Sequence, residues 1–238
     1  MDAYSDLIHK KKLHRSWFWK RFSSRLLQHN AAIRTRYASF FEKHIPTPHS
    51  GYQRILDIGS GSGFYLPLLC DYADTVFALE IEHDLCASAR HTVADGRPGA
   101  VNLVTGSMAS LPFHDESFGL VMFLESLHHI LQPGAAIKEA ARVLKKDGRI
   151  LLLEPNGANP LNFLISLFST REKGMMNIRH QKLTALFPDF YDLKMLPSNS
   201  VFCSGAFLKT VAKLLDVLLF TAALKKFSIR YIITARKK

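Results

Sequence analysis

Cysteine is scarce in this 238-residue chain: Cys70, Cys86 and Cys203 are the only three, and none stands at metal-ligand spacing from another. Three scattered thiols exclude a disulfide framework, give no metal site, and fit a reducing, cytoplasmic compartment. Also missing is any run of about eighteen uncharged apolar residues, since Lys209, Lys213 and Asp216 break the best candidate, so no membrane-spanning helix is expected. The first thirty residues lack the continuous apolar stretch of a signal peptide, because Lys10 to Lys12 and Trp17-Phe18-Trp19 follow each other closely. There is no internal repeat and no Gly/Ser, Gln/Asn or Pro tract that would argue for disorder. With 47% hydrophobic and 21% charged residues, the chain can build one sizeable core and hardly two.

Acid is in short supply at both ends. Residues 1–50 hold ten Lys/Arg against three Asp/Glu, and residues 205–238 hold eight against one, so each end carries about +7 and the middle about −3 of the net charge of +11. Basic ends around a near-neutral centre fit a surface that meets lipid headgroups or nucleic acid, or a solvated surface that aids solubility.

What is present is an alternation of short apolar runs with helical patterns. A helical stretch over about 16–42 ends at Ile45-Pro46-Thr47-Pro48. Strands are expected at 54–58, 75–80, 101–104, 118–124 and 149–154, with helices near 64–72, 84–94 and 134–144 and a turn at Gly148. Residues 191–196 and 228–235 read as closing strands. Such alternation predicts parallel βαβ units with the sheet buried on both faces, and ligands bound outside the carboxyl ends of its strands.

The first strand runs into Asp57-Ile58-Gly59-Ser60-Gly61-Ser62-Gly63. Alternate glycines let the backbone turn sharply and let a ligand approach with no Cβ in the way. A dinucleotide loop of G-x-G-x-x-G type would need its third glycine at position 64, which is Phe64. Asp57 would also repel a pyrophosphate, whereas it suits a ligand that carries an ammonium group. Glu80 ends the second strand, twenty-one residues after Gly59, where an acid can accept both hydroxyls of a ribose. It is preferred to Glu82 because it directly follows the apolar run Val76 to Leu79.

Five segments occur in order: LDIGSGSG (56–63), ALEIEHDLCASAR (78–90), GSMASLPFHDESFGLVMF (106–123), LHHI (127–130) and RVLKKDGRILLLEP (142–155). Over about residues 53–155 the sequence resembles the class I S-adenosylmethionine-dependent methyltransferases that act on small molecules. That resemblance implies a Rossmann-like, three-layer α/β/α fold with a seven-stranded, mostly parallel sheet whose last strand is antiparallel. It divides the chain into an N-terminal helical cap (1–50) and a methyltransferase domain (51–238), with the cofactor half at 53–155 and the acceptor side and closing strands at 156–238. It also implies that Asp57, Gly59, Ser60, Gly61 and Gly63 hold the methionine part of S-adenosylmethionine, that Glu80 holds the ribose, and that Ile81, Ser107, Met108 and Leu124 line the adenine and the rest of the cofactor site. The family commonly has Asp where this chain has Ser107, which accepts a hydrogen bond without a charge.

Methyl transfer from a sulfonium needs a general base only when the acceptor is a poor nucleophile. Glu125 and His128, at the carboxyl end of the fourth strand, are the candidates for such a role, although a histidine pair here also serves in capping and packing. The apolar segment Asn159 to Phe168 reads either as a cover over an apolar or lipid-like acceptor or as ordinary core. Phe18, Trp19, Phe22 and Leu26 share one helical arc with Lys20, Arg21 and Arg25 outside it, a pattern suited to peripheral contact with an anionic membrane or to packing. The tail pattern Phe207, Val211, Leu214, Leu215 and Leu218 reads first as a core-facing helix. Three other functions stay open: an RNA methyltransferase, disfavoured by the absence of an added RNA-binding module; a cofactor-binding, non-catalytic partner subunit; and a nicotinamide oxidoreductase, disfavoured by Phe64. The acceptor and the oligomeric state are not legible.

Overall fold

The computed structural model describes residues 31–45, 51–94, 100–168, 172–198 and 227–238. Among the described residues, fifteen short elements follow each other. Helix α1 (Ala31–His44) leads to β1 (Tyr52–Ile58), α2 (Leu66–Leu69), β2 (Ala73–Glu80), α3 (His83–Ala94), β3 (Val101–Thr105) and β4 (Phe118–Leu124). A single turn at Leu127–His129 precedes α4 (Pro133–Val143), β5 (Leu144–Pro155) and α5 (Pro160–Phe168). A second turn (Lys173–Asn177), α6 (His180–Thr184), β6 (Phe190–Ser198) and β7 (Arg230–Lys237) complete the described chain. The N-terminal arc Phe18 to Leu26 and the tail pattern Phe207 to Leu218 lie outside the described residues. Among the described residues, no helix is long and apolar enough to cross a membrane.

One seven-stranded sheet has the order β3-β2-β1-β4-β5-β7-β6. The first five strands are parallel, and β7 runs antiparallel between β5 and β6. This is the mostly parallel, Rossmann-like arrangement that the sequence implies. Strand alternation sorts the apolar side chains into two cores. Leu56, Ile58, Val121, Phe123, Ile150 and Leu152 face α4, whose Ala136, Ile137, Ala140 and Ala141 return every three to four residues. Ile55, Leu120, Met122, Leu124, Leu151 and Leu153 face Tyr37 and Phe41 of α1 and Leu66 and Leu69 of α2. Asp57 alternates with Ile58 and therefore stands on the α1 side.

Two expectations are corrected. The helix expected at 64–72 is only the four residues of α2. Leu66 N–H bonds to Gly63, Asp71 to Leu68 and Tyr72 to Leu69, each a three-residue closure that tightens the chain into turns instead of extending an α-helix. The chain must turn so soon because the Tyr72 carbonyl takes the N–H of Tyr52 at 3.1 Å where β1 begins. Likewise α4 stops at Val143 and β5 starts at Leu144, before the expected turn. Phe118 pairs with Leu144 and Leu120 with Arg149, so Lys145 to Gly148 bulge out of the ladder. Asp147, not Gly148, takes the left-handed backbone there, with φ +60°.

Candidate functional site

The chain leaves β1 for β2 and β3 and returns on the other side of β1 as β4, so the carboxyl ends of β1 and β4 open a crevice at the reversal of strand order. The Ser126 hydroxyl ties these ends together by donating to the Ile58 carbonyl at 2.6 Å. Gly59, next in the chain, has φ +75°, and a Cβ there would lie 2.5 Å from the Ser126 Cβ. Gly63 has φ +77°, and its added Cβ would lie 2.9 Å from that of Ala89 on α3. Both positions thus combine a left-handed backbone with close approach, which only glycine satisfies. The Gly59 and Ser60 N–H groups donate to the Leu79 carbonyl at 2.8 and 3.0 Å, pinning the loop to β2.

Asp57 is 1% exposed, and neither of its carboxylate oxygens meets a hydrogen-bond donor among the described residues; the buried Ser60 hydroxyl is in the same condition. Burial, and then the charge of Glu80, push the Asp57 carboxyl up to about 7. A buried acid without a donor is costly to the fold, so its presence at a ligand crevice calls for a functional explanation.

Glu80 is also buried, but it is well supplied with donors. One oxygen accepts the Gly61 N–H at 2.8 Å, and the other accepts those of Ile81 and Glu82 at 2.8 and 2.9 Å. Its carboxylate therefore stitches the glycine loop to the end of β2 while keeping acceptor capacity for a further donor. Ile81 beside it exposes 55% of its surface, an apolar platform at the mouth of the site. Met108 reaches the loop from the other side, its Cε 3.6 Å from the place of a Gly59 Cβ. Ser107 starts the turn that carries Met108, its hydroxyl accepting the Ala109 N–H at 3.2 Å. That loop is fastened by α4: Arg142 donates to the carbonyls of Phe113 and Leu111, and Glu139 accepts the Leu111 N–H. Leu124 is buried on the α1 side of the sheet.

Glu125 follows Leu124 with φ +57°, an uncommon backbone for a residue with a side chain and one that turns it out of the strand. Its carboxylate pairs with the guanidinium of Arg230 on β7. Against this pair stand Tyr65 and Tyr37, whose hydroxyls bond at 2.9 Å with Tyr65 donating. Burial, then Tyr65 and Glu125, hold the Tyr37 phenol above its ordinary range; burial and then Glu125 do the same to Tyr65. Both phenols stay neutral donors and acceptors at the wall of the crevice.

His128 has a different setting. It is 3% exposed, with Nδ1 2.7 Å from Glu154 and Nε2 3.2 Å from Glu172. Burial alone would lower its pKa, but the Glu154 carboxylate and then Glu172 outweigh it and raise the imidazole to about 10. Glu154 also accepts the N–H groups of Ser126, Leu127 and His128. His128, His129 and Glu172 bring ligand-type atoms within 4.8 Å of one another. Since both His128 nitrogens are already engaged by carboxylates, the cluster is a clamp that holds the end of β4. Sequence reasoning allowed His128 a capping and packing role but missed its Glu172 partner, the Arg230 partner of Glu125, and the Tyr65 hydroxyl. Only Tyr65, directly after the glycine loop, carried a local signal.

Residues 56–152 match the methyltransferase domain family. Relatives include an uncharacterized methyltransferase, YcgJ, of Bacillus subtilis, 32% identical over 42% of this chain and 40% of its own length. The 27-O-demethylrifamycin SV methyltransferase of Amycolatopsis mediterranei is 31% identical over 63% of this chain and 55% of its own. A ubiquinone/menaquinone biosynthesis C-methyltransferase of Vibrio parahaemolyticus is 32% identical over 43% and 41%. The crystal structure of YcgJ superposes with a TM-score of 0.60, covering 86% of this chain and 99% of that one at 21% identity. Residues 56–152 thus match a methyltransferase domain, and the fold around them is that of the solved YcgJ structure. The chain spans about half the length of the curated relatives it matches. The matched stretch contains every residue of the crevice from Asp57 to His128, while Arg230 and Tyr37 come from outside it.

Proposed function

We propose that this chain transfers the methyl group of S-adenosylmethionine to a small, apolar or lipid-like acceptor. The observation that carries the reading is the buried, donor-less carboxylate of Asp57 beside a glycine loop whose Gly59 cannot bear a Cβ. An ammonium group is the ligand feature that such an acid lacks, and the cofactor offers one. Asp57 would accept the ammonium, Ser60 would bond the same end, Glu80 would take the ribose hydroxyls on its remaining lone pairs, and Ile81, Ser107, Met108 and Leu124 would flank the base and the rest of the cofactor. The cofactor supplies a methyl group already activated by its sulfonium. The protein then contributes alignment and exclusion of water, the work for which two cores and a rigid loop are suited.

On the acceptor side, Glu125 is the group left to bind or deprotonate an acceptor, because His128 is held by Glu154 and Glu172. Arg230 fixes the direction of Glu125, and the two tyrosines stand nearby. The apolar acceptor is supported by two relatives whose names state a quinone and a rifamycin substrate. It is supported also by the apolar residues of α5, which are exposed and so are not core. The test is calorimetry with S-adenosylhomocysteine and with NAD, followed by incubation with labelled S-adenosylmethionine and fractionated lysate. Label in the lipid or small-molecule fraction agrees with the proposal; label in RNA moves it to the alternative acceptor, and tighter binding of NAD ends it.

A further inference from the structure

Helix α5 is built inside out. Over Pro160–Phe168 the polar Asn162 and Ser166 are buried, whereas Leu161, Phe163, Leu164, Leu167 and Phe168 are 44 to 83% exposed. At about 100° per residue the five apolar residues fill one arc of about 160°, with Asn162 and Ser166 opposite.

The buried polar groups explain the inversion. Asn162 donates to the carbonyls of Asn156 and Ile229 at 2.9 and 2.6 Å, and Asn159 donates to that of Phe227 at 2.6 Å. Asn159 also accepts the N–H groups of Leu161 and Asn162, capping the helix. The helix is thus bolted to the entrance of β7 by amide hydrogen bonds, and its leucines and phenylalanines turn outward. Phe227, 38% exposed, lies at the same junction. An apolar arc of this size is seldom left to water unless it has a partner.

We propose that α5 docks on the surface of an anionic phospholipid bilayer, with Leu161, Leu164, Leu167 and Phe168 set among the headgroups. A nine-residue helix is far too short to span a bilayer, which takes about twenty residues, so it lies on the surface. Charge selects this occupant. The chain as a whole carries +11. Lys173 is exposed on the turn that packs against α5. An anionic surface complements this net charge and the exposed Lys173, whereas a second copy of the chain would bring +11 against +11. Because α5 directly follows β5, on the edge of the sheet where the glycine loop sits, docking brings the crevice to the layer in which an apolar acceptor dissolves. The purpose of docking rests on the proposed apolar acceptor; the surface itself does not.

The experiment is flotation of the whole chain with vesicles of phosphatidylcholine, with and without phosphatidylglycerol, at low and high salt. S-adenosylhomocysteine binding is measured on the same samples. The chain is expected to float with the anionic vesicles at low salt, and Leu164→Ser/Leu167→Ser/Phe168→Ser to reduce flotation roughly tenfold or more with cofactor affinity unchanged. Retained cofactor affinity shows that the variant is folded. Flotation that is equal for the variant, or absent for the natural chain, overturns docking and leaves methyl transfer standing. Flotation without cofactor binding upholds docking and removes the methyl-transfer reading. A natural chain that is dimeric and becomes monomeric in the triple variant makes the second copy the occupant and overturns the proposal.

Discussion

Glu80 accepts the Gly61 N–H at 2.8 Å, which makes the acid at the end of β2 and the glycine loop after β1 one mechanical unit. Glu80→Ala therefore removes a ligand group and loosens the loop that shapes the site. Cofactor affinity is expected to fall by about 1–3 kcal/mol, the range for loss of charge-assisted hydrogen bonds. Glu82→Ala should lose much less, since it is Glu80 that accepts the Gly61 N–H. Calorimetry with S-adenosylhomocysteine compares them, and an exchange of the two effects would move the ribose partner two residues along the chain.

Asp57 makes both affinity and stability depend on pH. Its carboxyl titrates near 7 in the folded chain against 3.8 for an unperturbed one. The folded state therefore holds this proton more tightly than the unfolded state, and the resulting destabilisation develops as pH rises through about 4 to 7. Asp57→Asn should raise the melting temperature above about pH 7 and give no advantage below about pH 4. The same substitution should cost most of the cofactor affinity. In the natural chain that affinity should weaken as pH falls below about 7, because the ammonium needs the ionised acid. A calorimetric affinity profile that stays flat over roughly one to two units on either side of pH 7 would show that Asp57 does not face the ammonium.

His128 should behave as a structural cation. Its pKa is raised from 6.5 to about 10, so its contribution to stability is complete below about 6.5 and is lost as pH rises through about 10. His128→Gln is expected to destabilise the chain by about 3–5 kcal/mol at neutral pH, since it leaves Glu154 and Glu172 without their cation. Urea unfolding should show the gap to the natural chain narrowing above about pH 10. Cofactor affinity, measured on the folded fraction, should change little. A variant of full stability that has lost only turnover would return His128 to the catalytic candidates.

The parallel strands were legible because burial on both faces demands unbroken apolar runs, as in Phe118 to Leu124, where the expected and observed limits coincide. The glycine loop and Glu80 were legible because their requirements are local: a turn, a close approach, and an acid at a strand end. Helix α2 was overdrawn because its apolar pattern says nothing of the three-residue closures that stop it. Arg230 lies 105 residues from Glu125, and no periodicity links them. The inversion of α5 was hidden for a related reason. Its composition is apolar either way, and only the carbonyls of Asn156, Phe227 and Ile229 reveal that the asparagines point inward.

Gly59 and Ser126 offer a test of how the two sheet ends fit. Gly59→Ala faces two separate costs: a left-handed backbone, about 1–2 kcal/mol for a residue with a Cβ, and a steric clash, about 1–3 kcal/mol for overpacking. The second arises at the Ser126 Cβ, 2.5 Å from the added carbon. Ser126→Gly alone removes the hydroxyl that donates to Ile58 and should cost about 1 kcal/mol. Combined with Gly59→Ala it also removes the clash, so the double variant should be more stable than the sum of the singles by about 1 kcal/mol or more. The backbone cost should persist in the double variant. Urea unfolding of the four proteins closes the cycle, with S-adenosylhomocysteine affinity as the second readout. Strict additivity would mean that Gly59 is demanded by its backbone angle alone and that the crevice does not depend on the contact between the ends of β1 and β4.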